Sequence, residues 1–98
     1  MTYAEYGGSR GGFLVCGVAS QQLVSFNGHR KKLIICHDGA NACYFTKGDG
    51  PANANTGILL LPGGTWILEP DHKGYLWKGS IHCISLVAAQ NITWQEDW

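Results

Sequence analysis

The chain has 98 residues and a formal net charge of zero, with 45% hydrophobic and 14% charged residues. That length admits one domain and one modest core, since a chain of this size buries roughly two-thirds of the surface it exposes when unfolded, and a deep active-site cavity does not fit. Zero net charge excludes a general nucleic-acid binder, which needs a basic footprint to displace counterions.

Residues 1–12 hold four glycines, with Tyr3, Tyr6 and Arg10 standing out as large side chains. Such a segment cannot nucleate a helix and has little reason to fold on itself. It reads either as a disordered terminus or as an arm that orders against a neighbour through its tyrosines and arginine, residue types enriched at interface hot spots. Residues 13–19 and 22–26 read as the first two strands, and Asn27-Gly28 as a tight turn. His29-Arg30-Lys31-Lys32 reads as a solvated lead-in to the next strand. Two apolar runs, 33–36 and 42–45, flank His37-Asp38-Gly39-Ala40-Asn41, a pattern that predicts a hairpin at the centre of the fold.

Residues 46–55 are a loop by composition. Residues 56–61 form a fifth strand, whose unalternating Ile58-Leu59-Leu60-Leu61 suits a strand covered on both faces. Shorter strands are expected over 65–68 and 75–77. The run 81–87 alternates, with Ile81, Cys83, Ser85 and Val87 on one face. Residues 91–96 close the domain. Apolar residues never recur at helical spacing for three turns, the chain has 14 glycines, and turn punctuation falls about every ten residues. The expected fold is all-β: a compact β-sandwich, jelly-roll-like or a small barrel, over residues 13–98, with an extended N-terminal arm over residues 1–12.

The four cysteines, Cys16, Cys36, Cys43 and Cys83, lie inside apolar runs and read as buried, reduced thiols. Cys36-His37, Cys43 and His82-Cys83, with His29 and His72, are the candidates for metal or thiol chemistry. Cys36 and Cys43 lie outside the close spacing of zinc ligands, and neighbours on a strand point to opposite faces. A Cys–His nucleophile needs an exposed, electropositive thiol, and these sit among isoleucines. Gly48-Asp49-Gly50 with Asn53 and Asn55 lacks the alternating acidic pattern and closing Glu of a calcium loop. No catalytic residue, metal or cofactor is expected. Asn91-Ile92-Thr93 matches a glycosylation sequon, but the N-terminus has no secretory signature, so synthesis in the cytoplasm is expected. No apolar run approaches the roughly 18 residues of a membrane span.

Trp66 and Trp94 lie inside predicted strands and read as core. Trp98, behind Gln95-Glu96-Asp97, is expected to pack on the domain edge or a neighbour. Tyr75 and Trp77 are candidates for a ligand platform of the kind β-modules use for sugars.

From Leu23 onward the order of pieces resembles a group of small structural proteins of tailed bacteriophages. Those pieces are Asn27-Gly28-His29-Arg30-Lys31-Lys32-Leu33-Ile34-Ile35, Tyr44, Gly48-Asp49-Gly50 and Gly57-Ile58-Leu59-Leu60. Pro62-Gly63-Gly64, Gly74-Tyr75-Leu76-Trp77 and Asp97-Trp98 complete the set. The likeness covers about three-quarters of the chain, and each piece alone is common β-protein punctuation. The charged segment Pro70–Gly74 departs from the short polar turn of the family.

The resemblance implies a β-sandwich, jelly-roll-like module on the capsid exterior, a decoration or cement protein that binds and braces the major capsid protein as a dimer or trimer. It brings no catalytic residues. On this reading Tyr3, Tyr6, Arg10 and Trp98 contact the capsid or a neighbouring copy, and neither nucleic acid nor membrane is a partner. The alternative is a carbohydrate- or receptor-binding module of a phage head or tail fibre, working through Tyr75 and Trp77.

Overall fold

The computed structural model describes residues 8–48 and 50–98. Among them the chain forms eight strands and no helix: β1 (Ser9–Cys16), β2 (Gln21–Val24), β3 (Lys32–His37), β4 (Cys43–Lys47), β5 (Ile58–Leu60), β6 (Thr65–Leu68), β7 (Ile81–Ser85) and β8 (Gln90–Asp97). They build two four-stranded antiparallel sheets, ordered β1-β8-β3-β6 and β2-β7-β4-β5. The pairs β4·β5, β3·β6, β2·β7 and β1·β8 nest outward from the β4–β5 connection, as in one long hairpin. Rolling that ribbon brings β8 onto β3 and β7 onto β4, which completes both sheets.

Alternation selects the buried faces. On β3, Leu33, Ile35 and His37 turn inward and Lys32, Ile34 and Cys36 outward; on β4 and β7, Cys43, Phe45, Ile81, Cys83 and Ser85 turn inward. The apolar ones among them join Cys16 and Ile92 of the first sheet and Leu23, Val24 and Leu60 of the second in one apolar core, with His37 and Ser85 as buried polar residues beside it. The Phe45 and Trp66 rings, 6.2 Å apart between centroids, connect the two sheets through β4 and β6. Each fully buried Leu, Ile, Val or Phe in this core contributes about 1.5–3 kcal/mol when removed from water.

The structure departs from the sequence expectations at specific places. The expected hairpin does not exist: β3 lies in the first sheet and β4 in the second, and each is an interior strand of its own sheet. The connection is a corner held by side chains. His37 Nδ1 accepts the Gly39 N–H at 2.9 Å, which leaves Nε2 to donate to the Asn41 carbonyl at 2.5 Å. Gln90 Oε1 accepts the N–H groups of both Ala40 and Asn41, at 2.8 and 2.7 Å. A turn whose N–H groups are satisfied by a distant strand need not close a ladder of its own.

Tyr75-Leu76-Trp77 is not a strand but part of a loop folded around Asp71, whose Oδ1 accepts the N–H groups of Lys73 and Tyr75. The run 58–61 is not covered on both faces: Leu59 and Leu61 are exposed and only Leu60 is buried. Cys36 is half-buried on the outer face rather than in the core. The second strand ends at Val24, with Phe26 exposed, and the seventh ends at Ser85, with Val87 exposed. The first strand begins at Ser9, so residues 9–12 of the expected arm belong to a sheet, and it ends at Cys16. Arg30, expected in the solvated lead-in, is buried.

Candidate functional site

Three regions concentrate the polar, aromatic and exposed apolar side chains. The first is the end of the first sheet where β1 meets β8. Their register sets Arg10 opposite Glu96 and Gly12 opposite Trp94, and reciprocal backbone bonds of 2.7 and 2.9 Å continue it to Gly8 and Trp98. Residues 8, 10 and 12 therefore share one face with 94, 96 and 98. A Cβ added at Gly8 would lie 2.6 Å from the Trp98 ring, and one at Gly12 would lie 3.2 Å from the Trp94 ring. The two glycines are seats for two indoles. Between them the Arg10 guanidinium stands 5.7 Å from each ring centroid, within cation–π range.

Glu96 ties this ladder to the rest of the molecule. Its carboxylate accepts Arg10 Nε at 2.8 Å and Arg30 Nε at 2.5 Å. The side chains of Glu96 and Arg30 are wholly buried and that of Arg10 is 46% exposed. Arg30 also donates to the carbonyls of Trp77, Gly79 and Ser25 at 3.2, 3.0 and 3.0 Å, drawing two loops onto β8. Burial alone would raise the Glu96 carboxyl. Hydrogen bonds from Arg30, Asn27 and Arg10, with the Arg30 charge, hold it below the ordinary carboxylate range.

The second region is an open cleft of about 430 Å³ lined by Lys47, Leu68, Glu69, Tyr75, Leu76 and Trp77. Lys47 Nζ lies 6.0 Å from the Trp77 ring centroid. Trp77 packs one side on the core and donates its indole N–H to the Ser80 carbonyl at 3.1 Å. Tyr75 is 72% exposed. Both expected platform residues thus line one cleft, beside a cation and a carboxylate.

The third region is the outer face of the first sheet. In register across it lie Phe13 and Val15 of β1, Thr93 and Gln95 of β8, Ile34 and Cys36 of β3, and Ile67 of β6. Phe13 is 70% exposed, and Val15 and Ile67 are exposed too. A shallow hollow of about 240 Å³ between β3 and β8 is lined by Ile34, Cys36, Thr93, Trp94 and Gln95. This face carries charge only at its rim, where Lys32 stands opposite Asp97.

The Cys/His candidates are not brought together. Cys36 faces outward and His37 inward, while His82 bonds the Gly48 carbonyl. Cys16, Cys43 and Cys83 lie in the core. The Cys43 thiol is pushed up to about 12 by burial and by neighbouring Cys16. Cys16 is raised by its hydrogen bond with Cys83 and then by burial. A thiol held protonated is a poor nucleophile. Among the described residues no three His, Cys, Asp or Glu side chains are grouped to hold a metal ion. Of the expected interface residues, Arg10 and Trp98 are brought into contact with each other, while Tyr3 and Tyr6 lie outside the described residues.

Sequence reasoning missed Arg30, Glu96 and the indole seats. A signal for the seats was present: Gly8-x-Arg10-x-Gly12 and Trp94-x-Glu96-x-Trp98 are complementary at a spacing of two, but only antiparallel pairing makes them neighbours. No protein-family model and no curated protein matches the chain.

Proposed function

We propose that this protein is a non-enzymatic structural component of a tailed-phage virion, a decoration protein that binds and braces major capsid subunits from the capsid exterior. The supporting observation is the neutral outer face of the first sheet, where Phe13, Val15, Ile34 and Ile67 form an apolar stripe with charge only at its rim. Such a face fits a protein partner better than an ionic ligand. The nesting of β1·β8, β2·β7, β3·β6 and β4·β5 in one rolled ribbon supports a jelly-roll-like reading of the two sheets, an architecture used by viral capsid proteins and lectins. The fold class by itself does not choose between those roles.

The test is co-purification with particles. The full chain is expected to bind expanded capsids and raise their heat resistance, and Phe13→Asp with Ile67→Asp is expected to abolish binding while the protein stays folded. Binding that survives the double substitution moves the contact elsewhere. Removal of residues 1–7 measures the N-terminal contribution without cutting into β1.

The second reading, a carbohydrate-binding module, is favoured by the Tyr75–Trp77 cleft, where aromatic surface meets Lys47 and Glu69. Glycan-array binding lost in Tyr75→Ala would support it. Capsid binding unaffected by Tyr75→Ala, with no glycan retained, would leave the structural role.

A further inference from the structure

The four sheet edges are built differently. β5 has three residues, β6 has four, and β2 has four with a register shift between Gln22 and Val24. Short edges and bulges are among the ways proteins prevent unwanted strand pairing, as are Lys and Pro on the edge. β1 uses none of these. It runs eight residues, SRGGFLVC, in unbroken register with β8. Its only charge, Arg10, turns onto Glu96.

The side of β1 that pairs with no strand among the described residues can be read from its ladder. Gly8 and Trp98 exchange both backbone hydrogen bonds, and such pairs alternate along an antiparallel ladder. Arg10, Gly12, Leu14 and Cys16 therefore direct their backbone groups to β8. Ser9, Gly11, Phe13 and Val15 direct theirs to the open edge.

We infer that β1 is a self-association edge: two copies of this chain pair their β1 strands antiparallel about a two-fold axis at Gly12, joining their first sheets into one. In that register Ser9 of one copy faces Val15 of the other, and Gly11 faces Phe13. All four outward-directed residues then find hydrogen-bonded partners. Phe13 falls opposite a glycine that leaves room for its ring, an arrangement by which aromatic residues compensate edge glycines.

Other registers are poorer. A slip by one residue opposes side chains of different faces. Centring on Phe13 sets Ser9 against Gly17, whose carbonyl already accepts the Ser85 N–H at 2.8 Å. Centring on Gly11 leaves Val15 beyond the start of the other strand. A two-fold contact also closes on itself, so the edge forms a dimer and not a filament. This inference gives an edge and a register to the dimer that the capsid reading allows, does not rest on that reading, and is measured on the isolated protein.

The test is the mass of the full chain by sedimentation equilibrium and native mass spectrometry. A dimer is expected. Gly11→Pro removes an outward N–H and places a ring in the seam, with its Cβ 3.0 Å from the Trp94 carbonyl oxygen of β8, and Phe13→Lys adds repulsion beside the axis without that contact. Each is expected to weaken the dimer at least tenfold while the circular dichroism spectrum stays unchanged. In a Cys36→Ser background, Gly12→Cys is expected to form a disulfide-linked dimer, because directly opposed residues outside the hydrogen-bonded pairs are about 4.5 Å apart between Cα atoms. Ser9→Cys, roughly 20 Å from its counterpart along the strands, is expected not to. Should Gly12→Cys fail to fold against Trp94, a mixture of Gly11→Cys and Phe13→Cys chains reports the same register through hetero-linked dimers. A monomer at concentrations up to about 1 mM overturns the inference. So does a dimer indifferent to both edge substitutions, or cross-linking at Ser9→Cys.

Discussion

Two places in this molecule set a cation against tryptophan, and they differ in what surrounds the pair. At the end of the first sheet Arg10 lies between Trp94 and Trp98, on strands paired through their whole length. Its carboxylate partner, Glu96, is also bonded to buried Arg30. In the cleft Lys47 approaches Trp77, which is carried on a loop, while Tyr75 stands in solvent. In the first arrangement the carboxylate is held by both Arg10 and Arg30 within the chain, which gives it a structural role. The second leaves Lys47, Glu69 and the Tyr75 ring available to something outside. Residue types alone do not separate these roles; the strand pairing and the buried carboxylate of the surroundings do.

The comparison is broken most strongly at Arg30. Arg30→Ala leaves the Glu96 carboxylate and three loop carbonyls short of a donor in a buried site, and a loss of about 3–5 kcal/mol is expected in urea unfolding. Arg30→Lys is expected to rescue little, since one ammonium cannot replace the guanidinium fork. Next comes Gly57→Ala. Gly57 has φ of +88°, and an added Cβ would lie 2.5 Å from the Phe45 carbonyl oxygen. The backbone there must shift, at an expected cost of about 1–3 kcal/mol.

Glu96→Gln sharpens the contrast through pH. The folded carboxyl sits below its ordinary value of 4.5. Its stabilisation is therefore fully present above that value and is lost as pH falls through the depressed folded value. Acid titration of unfolding free energy should show a decline below pH 4.5 in the native protein that is much reduced in Glu96→Gln. A decline of the same size in both would assign it to other carboxylates.

Arg10→Ala removes a half-exposed partner, so screening by solvent keeps the expected loss to about 0.5–1 kcal/mol, smaller at high salt. Smallest of all are Lys47→Ala and Tyr75→Ala, expected to change stability by no more than about 0.5 kcal/mol. A large destabilisation at either would make the cleft a structural feature like the sheet end.

Much of the fold was legible because strand formation is local. The alternation of Leu33, Ile35 and His37 against Ile34 and Cys36 is written in the order of residues, as are the turns at Asn27-Gly28 and Pro62-Gly63-Gly64. The strand pairs were not legible. His37-Asp38-Gly39-Ala40-Asn41 has the composition of a hairpin turn, yet Gln90, 49 residues from Asn41 in the chain, takes its N–H groups and makes it a corner. Tyr75-Leu76-Trp77 has strand-forming residues, yet Asp71 takes the Tyr75 N–H and holds the segment as a loop. The glycines at 8 and 12 suggested an arm, disordered or docked on a neighbour, and packing made them the floor beneath two indoles.

By itself the sequence determined the all-β class, the single core and the buried state of Cys16, Cys43 and Cys83, because each follows from short-range periodicity and composition. Tertiary structure alone decided that β3 and β4 part into different sheets, that Arg30 is buried and that Arg10 meets Trp98. Those outcomes depend on which backbone and charged groups find partners across 66 or 86 residues of chain. A polar group far along the chain can satisfy a buried donor as well as a neighbour can, and local pattern holds no record of which one does.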